Sequence, residues 1–330
     1  MRRLVQAAVL GVLALFLVIG GAEAARKARA QKTTAEFTST EEVLKWINGY
    51  RKHPEPERFP AAVRAMFAAQ LFKDVENAGV YIGFMGGVIG SDDAAAEQRV
   101  ASLFPMSPED QAILIKAISY SGLPDWKGLL EKFVERMPAR KVMLEKYLYG
   151  KVDTLATLPL DNGAFPLDAN WGYYFATGSR VPILRIITAL DWAKEKNSVD
   201  KLTAGSMARW TLAQNASRDM DLLRLLKKEY PQVTGEGRPV LKEVIEAAET
   251  FEVASIRKDA LKSIDDLKAK GPQSNRDMAW WGQAGQTVLA LGCVAAGAMG
   301  HVEFGIPCVV GGAVSTAALK YLIPTGPSTP

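Results

Sequence analysis

Residues 107–122, SPEDQAILIKAISYSG, spell out one helix from start to stop. Ser107 can accept from the free backbone amides of a first turn, Pro108 fits that turn because its missing N–H has no partner there anyway, and Glu109 and Asp110 complement the positive end of the helix dipole. Ile113, Leu114, Ala117 and Ile118 then recur at helical spacing on one face, and Gly122 is placed to end the run.

The same punctuation extends in both directions. Upstream, Ser39-Thr40-Glu41-Glu42 fits a capping box ahead of Val43, Leu44, Ile47 and Tyr50, and Pro60 opens a segment whose Val63, Met66, Phe67 and Leu71 mark one face. Downstream, Leu167, Trp171, Tyr174 and Phe175 precede Gly178. Pro182 leads into Ile183, Ile186, Ile187 and Leu190, and Leu222, Leu223, Leu225 and Leu226 precede Pro231. The longest periodic run spans 239–270 and stops at Lys268, Lys270, Gly271 and Pro272. No sustained alternation of apolar and polar residues with β-branched enrichment occurs, so no sheet is needed. The expectation is an all-α fold: a multi-helix array of helical hairpins, either an irregular α-solenoid or a bundle, followed by a C-terminal apolar helical hairpin. The stretches ISYSGLPDWKGLL around Gly122 and YFATGSRVPILRII around Gly178 echo each other, and two similarly capped helix junctions account for the likeness.

The domain plan follows from the ends. Arg2 and Arg3 precede an uncharged run from Leu4 to Ala22, and Ala22-Glu23-Ala24 offers the small residues of a cleavage site, so residues 1–24 read as a cleaved secretory signal peptide. Residues 25–38 read as a solvated leader, 39–272 as the helical domain, 273–322 as an apolar Gly/Ala-rich hairpin and 323–330 as a flexible tail. The expected location is periplasmic or extracellular, with membrane association as the alternative. Removing 1–24 leaves 38 basic and 35 acidic residues, a near balance without the clustered basic patch that nucleic-acid binding calls for.

Chemistry is sparsely signalled. The Gly-rich stretch Tyr81–Gly90 lacks the Lys-Ser or Lys-Thr of a phosphate loop and is followed by Ser91-Asp92-Asp93, so close helix packing through small residues explains it better. The carboxylate pairs Asp92-Asp93, Glu109-Asp110 and Asp265-Asp266 are sequence neighbours that cannot face each other across a cleft, and no GxSxG elbow is present. His53 and His301 are the only histidines and there is no CxxC, which argues against a zinc site. No catalytic residue, metal or cofactor is assigned. Trp171, Tyr174 and Phe175 share a helical face and read as core. Tyr173 points elsewhere, and with Asp161, Asp168 and Asn170 it is the candidate ligand surface, a platform for sugar or peptide.

From Gly282 to Leu319 the chain carries no charge except Glu303, with His301 beside it. Trp280 and Trp281 at one end and Lys320 and Tyr321 at the other stand where a membrane hairpin places its interfacial anchors. The second arm falls short of the roughly 17 to 25 apolar residues of a spanning helix, and inserting Glu303 would be costly, which favours a buried hairpin over an inserted one. The expected function is an exported helical scaffold or binding protein of the cell envelope, with a protein or an envelope component as partner. A membrane-anchored or membrane-active protein inserting 280–322 is the first alternative, and an all-helical enzyme acting on envelope polymer or peptide the second.

Cys293 and Cys308, the only cysteines, are the candidate disulfide in an oxidising compartment, closing a loop of about 15 residues worth on the order of 3 kcal/mol. Thiol labelling of the denatured, unreduced protein is expected to modify neither; full labelling of both without reductant would remove the bridge.

Overall fold

The computed structural model describes residues 37–250 together with Asp259, Lys262 and Asp266, all three of which are helical. The expected signal peptide and most of the leader lie outside the described residues, as do Cys293, Cys308, Trp280, Trp281, Lys320, Tyr321 and the apolar hairpin. No strand occurs among the described residues, and the fold is all-α.

Twelve α-helices are described: α1 (Thr40–Tyr50), α2 (Phe59–Ala68), α3 (Gly79–Gly90), α4 (Asp93–Ala101), α5 (Pro108–Ser119), α6 (Trp126–Glu131), α7 (Lys141–Tyr149), α8 (Phe165–Thr177), α9 (Arg180–Thr188), α10 (Val199–Ala216), α11 (Met220–Glu229) and α12 (Gly237–Thr250). Their starts are built as the capping residues require. Ser107 accepts from the Asp110 amide at 3.2 Å and Ser39 from the Glu42 amide at 3.2 Å. The Glu42 carboxylate reaches back to the Thr38 amide at 2.7 Å, and that N–H holds its carboxyl below the usual carboxylate range. Gly122 and Gly178 both take a positive φ, +74° and +66°, which ends α5's turn and α8 where an L side chain would be strained.

At the centre lies α3, GVYIGFMGGVIG, with every residue from Gly79 to Ile89 buried. A helix apolar all round is a core helix, and each of its fully buried large side chains contributes about 1.5–3 kcal/mol. Its glycines set how near the neighbours come. Gly79, Gly83 and Gly87 form one row against α8: a Cβ at Gly79 would lie 2.6 Å from the Phe165 carbonyl oxygen, one at Gly83 would fall on the Ala169 carbonyl, and one at Gly87 would meet the Ala176 methyl at 2.6 Å. From the opposite side, a Cβ at Gly172 of α8 would fall on the Val80 carbonyl. The two helices therefore touch backbone to backbone. A second row faces α5, where a Cβ at Gly86 would sit 2.9 Å from the Ala117 and Tyr120 carbonyl oxygens, and one at Gly90 would strike the Ser121 carbonyl. Only residues without side chains allow such an approach, since ordinary helix pairs are held 8–10 Å apart by theirs.

Helices α1, α2, α4, α5, α9 and α10 pack against this pair, while α6 and α7 seat on α5, and α11 and α12 on α10. Trp46 and Tyr50 of α1 pack edge-on against Phe84, with ring centroids 5.2 Å away in each case. Trp171 stacks on Phe175 and donates from Nε1 to Thr211 Oγ1 of α10 at 3.0 Å, tying α8 to the C-terminal helices. There α10 and α12 enclose the short 3-10 turn Ala189–Trp192, and Asp191 Oδ1 accepts from the Gly237 amide at 2.6 Å at the start of α12.

Gly83→Ala and Gly49→Ala are the same substitution with opposite expected signs. Gly83→Ala drives a methyl into a backbone carbonyl that cannot rotate away, and should cost at least about 2 kcal/mol in urea unfolding. Gly49, in α1 with nothing within 4 Å of its Cβ position, should be neutral or gain up to about 1 kcal/mol as Ala. Equal effects would contradict the packing.

Candidate functional site

The four residues expected to form a ligand surface are placed differently by the fold. Asp168 is 2 % exposed and Asn170 is wholly buried, because α8 is covered by α3 on one side and α10 on another. Asn170 donates from Nδ2 to the Pro166 carbonyl at 2.7 Å. Asp168 lies near the buried Tyr81, whose hydroxyl is pushed well above the ordinary tyrosine range by burial first and by the Asp168 carboxylate second. Tyr173 is half-buried. Its hydroxyl donates to the Ser121 carbonyl at 3.1 Å, clasping α8 to the turn after α5, and burial raises its pKa. Asp161 is partly exposed in the segment leading to α8. Asp168 and Asn170 thus offer no accessible surface, and Tyr173 serves a contact within the fold. The neighbouring Trp171, Tyr174 and Phe175 are core residues.

Two ionisable clusters escaped the sequence reading. The Lys116 ammonium sits 4.6 Å from the Phe165 ring centre, and burial lowers its pKa against the opposing pull of Glu76. The Tyr120 hydroxyl is pushed well up, first by burial and then by Tyr147, Asp153 and Glu76. Arg185 of α9 donates to the Leu158 carbonyl and is likewise lowered by burial, with Asp153 acting the other way. At the far end of α8, Arg51 pairs with Asp219, lies 3.7 Å from Asp221, and stacks over Tyr174 at 5.0 Å. Asp219 also caps α11. Each cluster joins segments distant in sequence, and each serves to fasten a loop or a helix end.

The accessible candidate is on α7. Its inner face buries Leu144 and Leu148, while Val142 and Tyr149 on the outer face are 81 % and 78 % exposed. The helix is pinned at both ends. Arg140, just ahead of it, donates to the Pro108 carbonyl, and Lys127 donates from Nζ to the Leu148 carbonyl at 2.7 Å. Together with the turn Pro138–Arg140, α7 lines an open groove of about 540 Å³. The sequence does carry a signal for it. In PARKVMLEKYLYGK, residues 138–151, apolar side chains at 142, 143, 144, 147, 148 and 149 cover more of the helix than burial in one core requires.

Among the described residues no group of three or more His, Cys, Asp or Glu could hold a metal ion, and no helix is long and apolar enough to cross a membrane. Compared with family models, with curated proteins and with solved structures, the chain matches none of them.

The buried hydroxyls set an alkaline limit. Burial raises the Tyr50 pKa to about 12, and those of Tyr81, Tyr120, Tyr147, Tyr173 and Tyr174 are also raised chiefly by burial. With folded values above the unfolded value of about 10, the fold binds more protons than the unfolded chain in this window. Their contribution is fully present below about pH 10 and is lost as pH rises through the folded values. Urea midpoints should therefore fall steeply between about pH 10 and 12, and the fall should be shallower in Tyr50→Phe; a midpoint flat across that range would contradict the burial.

Proposed function

We propose that the protein is an exported helical scaffold that binds another protein or an envelope component, with α7 as its contact face. The observation that carries this reading is the exposure of Val142 and Tyr149 on one face of a helix whose other face is firmly seated. Large apolar side chains left in water beside a groove are a cost to solubility that a binding surface explains. Export is supported by Arg2-Arg3, the apolar run Leu4–Ala22 and the small residues at Ala22 and Ala24. Within the array, contacts between α1 and α8 and between α3 and α8 join elements remote in sequence, which favours a bundle around α3 over a solenoid whose repeats meet only their neighbours. The charge-poor run Gly282–Leu319 favours a second reading, in which that segment anchors the scaffold to a membrane.

A photo-crosslinking residue at position 142 or 149, introduced one at a time in the native envelope, should give the same discrete adduct, while position 64 on the exposed side of α2 should give none. No adduct from 142 and 149, or the same products from all three positions, would remove α7 from the account.

A further inference from the structure

We propose that the α7 groove takes an acidic, aliphatic segment of a partner protein, a reading that rests on the scaffold function above. Its walls are apolar: Pro138, Ala139, Val142, Met143 and Tyr147. At about 540 Å³ it lies within the roughly 300–1,000 Å³ range of pockets that seat discrete chemical groups, and one or two aliphatic side chains suit such walls. Its charged lining residues are all cationic, namely Arg140, Lys141 and Lys146. Lys141 and Lys146 are exposed and form no ion pair among the described residues. Arg140 is partly committed, donating to the Pro108 carbonyl and lying 3.8 Å from the Glu109 carboxylate. The complement of apolar walls rimmed by uncompensated ammonium groups is a chain that alternates carboxylates with aliphatic side chains.

An anionic bilayer shares part of that chemistry but fits this surface less well. Glu145 and Lys146 are both exposed on α7 between Val142 and Tyr149, so a membrane laid against those two side chains would meet one charge of each sign, whereas the groove lining carries cations alone. A peptide lying between α7 and the Pro138–Arg140 turn leaves Glu145 to solvent.

The test uses the full chain and three probes in fluorescence and flotation measurements: a labelled ten-residue peptide of Glu, Asp and Leu, its counterpart with Lys in place of the acids, and phosphatidylglycerol vesicles. The acidic peptide should bind, weaken with added salt, and lose at least about tenfold in affinity in the double variant K141E/K146E. Lys151→Glu, just beyond the groove, should change it by less than about twofold. Both lysines of the double variant are exposed, so an unchanged thermal midpoint confirms that its fold is intact. Equal binding of the acidic and basic peptides, or an acidic-peptide affinity unmoved by K141E/K146E, overturns the proposal. Binding of vesicles without the acidic peptide also overturns it and makes the face a lipid site. If positions 142 and 149 crosslink in the envelope while the acidic peptide does not bind, the partner class is wrong and the scaffold reading stands.

Discussion

The contact on which the rest of the fold depends is the meeting of α3 and α8 without intervening side chains. Gly79, Gly83 and Gly87 on one helix and Gly172 on the other let the Ala169 and Val80 carbonyls approach where any Cβ would stand. That approach places twelve nearly uninterrupted apolar residues at the centre of the molecule, and it uses up the surroundings of α8 as well, which is why Asp168 and Asn170 are buried along with the aromatic residues. The end of α3 is closed by a cation: Arg99 donates to the Val88 carbonyl at 2.9 Å and to Ser91 Oγ at 3.1 Å, satisfying groups that the final turn of a helix leaves open.

Around that pair the polar contacts act as fasteners. Tyr173 to Ser121, Trp171 to Thr211, Arg51 to Asp219 and Arg185 to Leu158 each link segments far apart in the chain. Most involve partly or wholly desolvated groups, so each is of more use where it is than an exposed ion pair would be. Burial in the same packing keeps the tyrosine hydroxyls protonated far into alkaline solution. None of these contacts converges on an open cleft, and α7 presents its exposed apolar face, beside a groove, outside this framework.

Helices with a clear apolar stripe are legible in the sequence: α1 and α5 begin at the caps Ser39 and Ser107, α2 and α9 carry the stripes read after Pro60 and Pro182, and the apolar residues of 167–175 and 222–226 lie in α8 and α11. The Gly-rich stretch could also be read as close packing, since its residue types exclude a phosphate loop. What periodicity could not reveal was α10, which is buried on nearly every side: Thr203, Ser206, Thr211, Gln214 and Asn215 are interleaved with buried Leu202, Met207, Trp210 and Leu212, so no one face stands out as apolar. Of the other short helices, α4 buries only Ala96 and Val100, α6 has six residues, and α7 carries apolar side chains on more than one face, so none shows a single stripe. Tyr173 stands off the stripe of Trp171, Tyr174 and Phe175, but its partner, a backbone carbonyl of Ser121, has no sequence signature. The same holds for the Lys116 and Arg51 clusters, whose members come together only through tertiary packing.

A framework built this way has a definite order of stability, because nothing can open α3 without separating α8 and exposing the whole apolar core. Native-state amide hydrogen exchange resolved by helix tests this most directly. The account predicts that α3 and α8 are the slowest to exchange, with a common opening free energy equal to that of global unfolding, while α7 and α12 open at lower energies. Exchange of α3 through a partial opening that leaves α10 and α12 protected would contradict it.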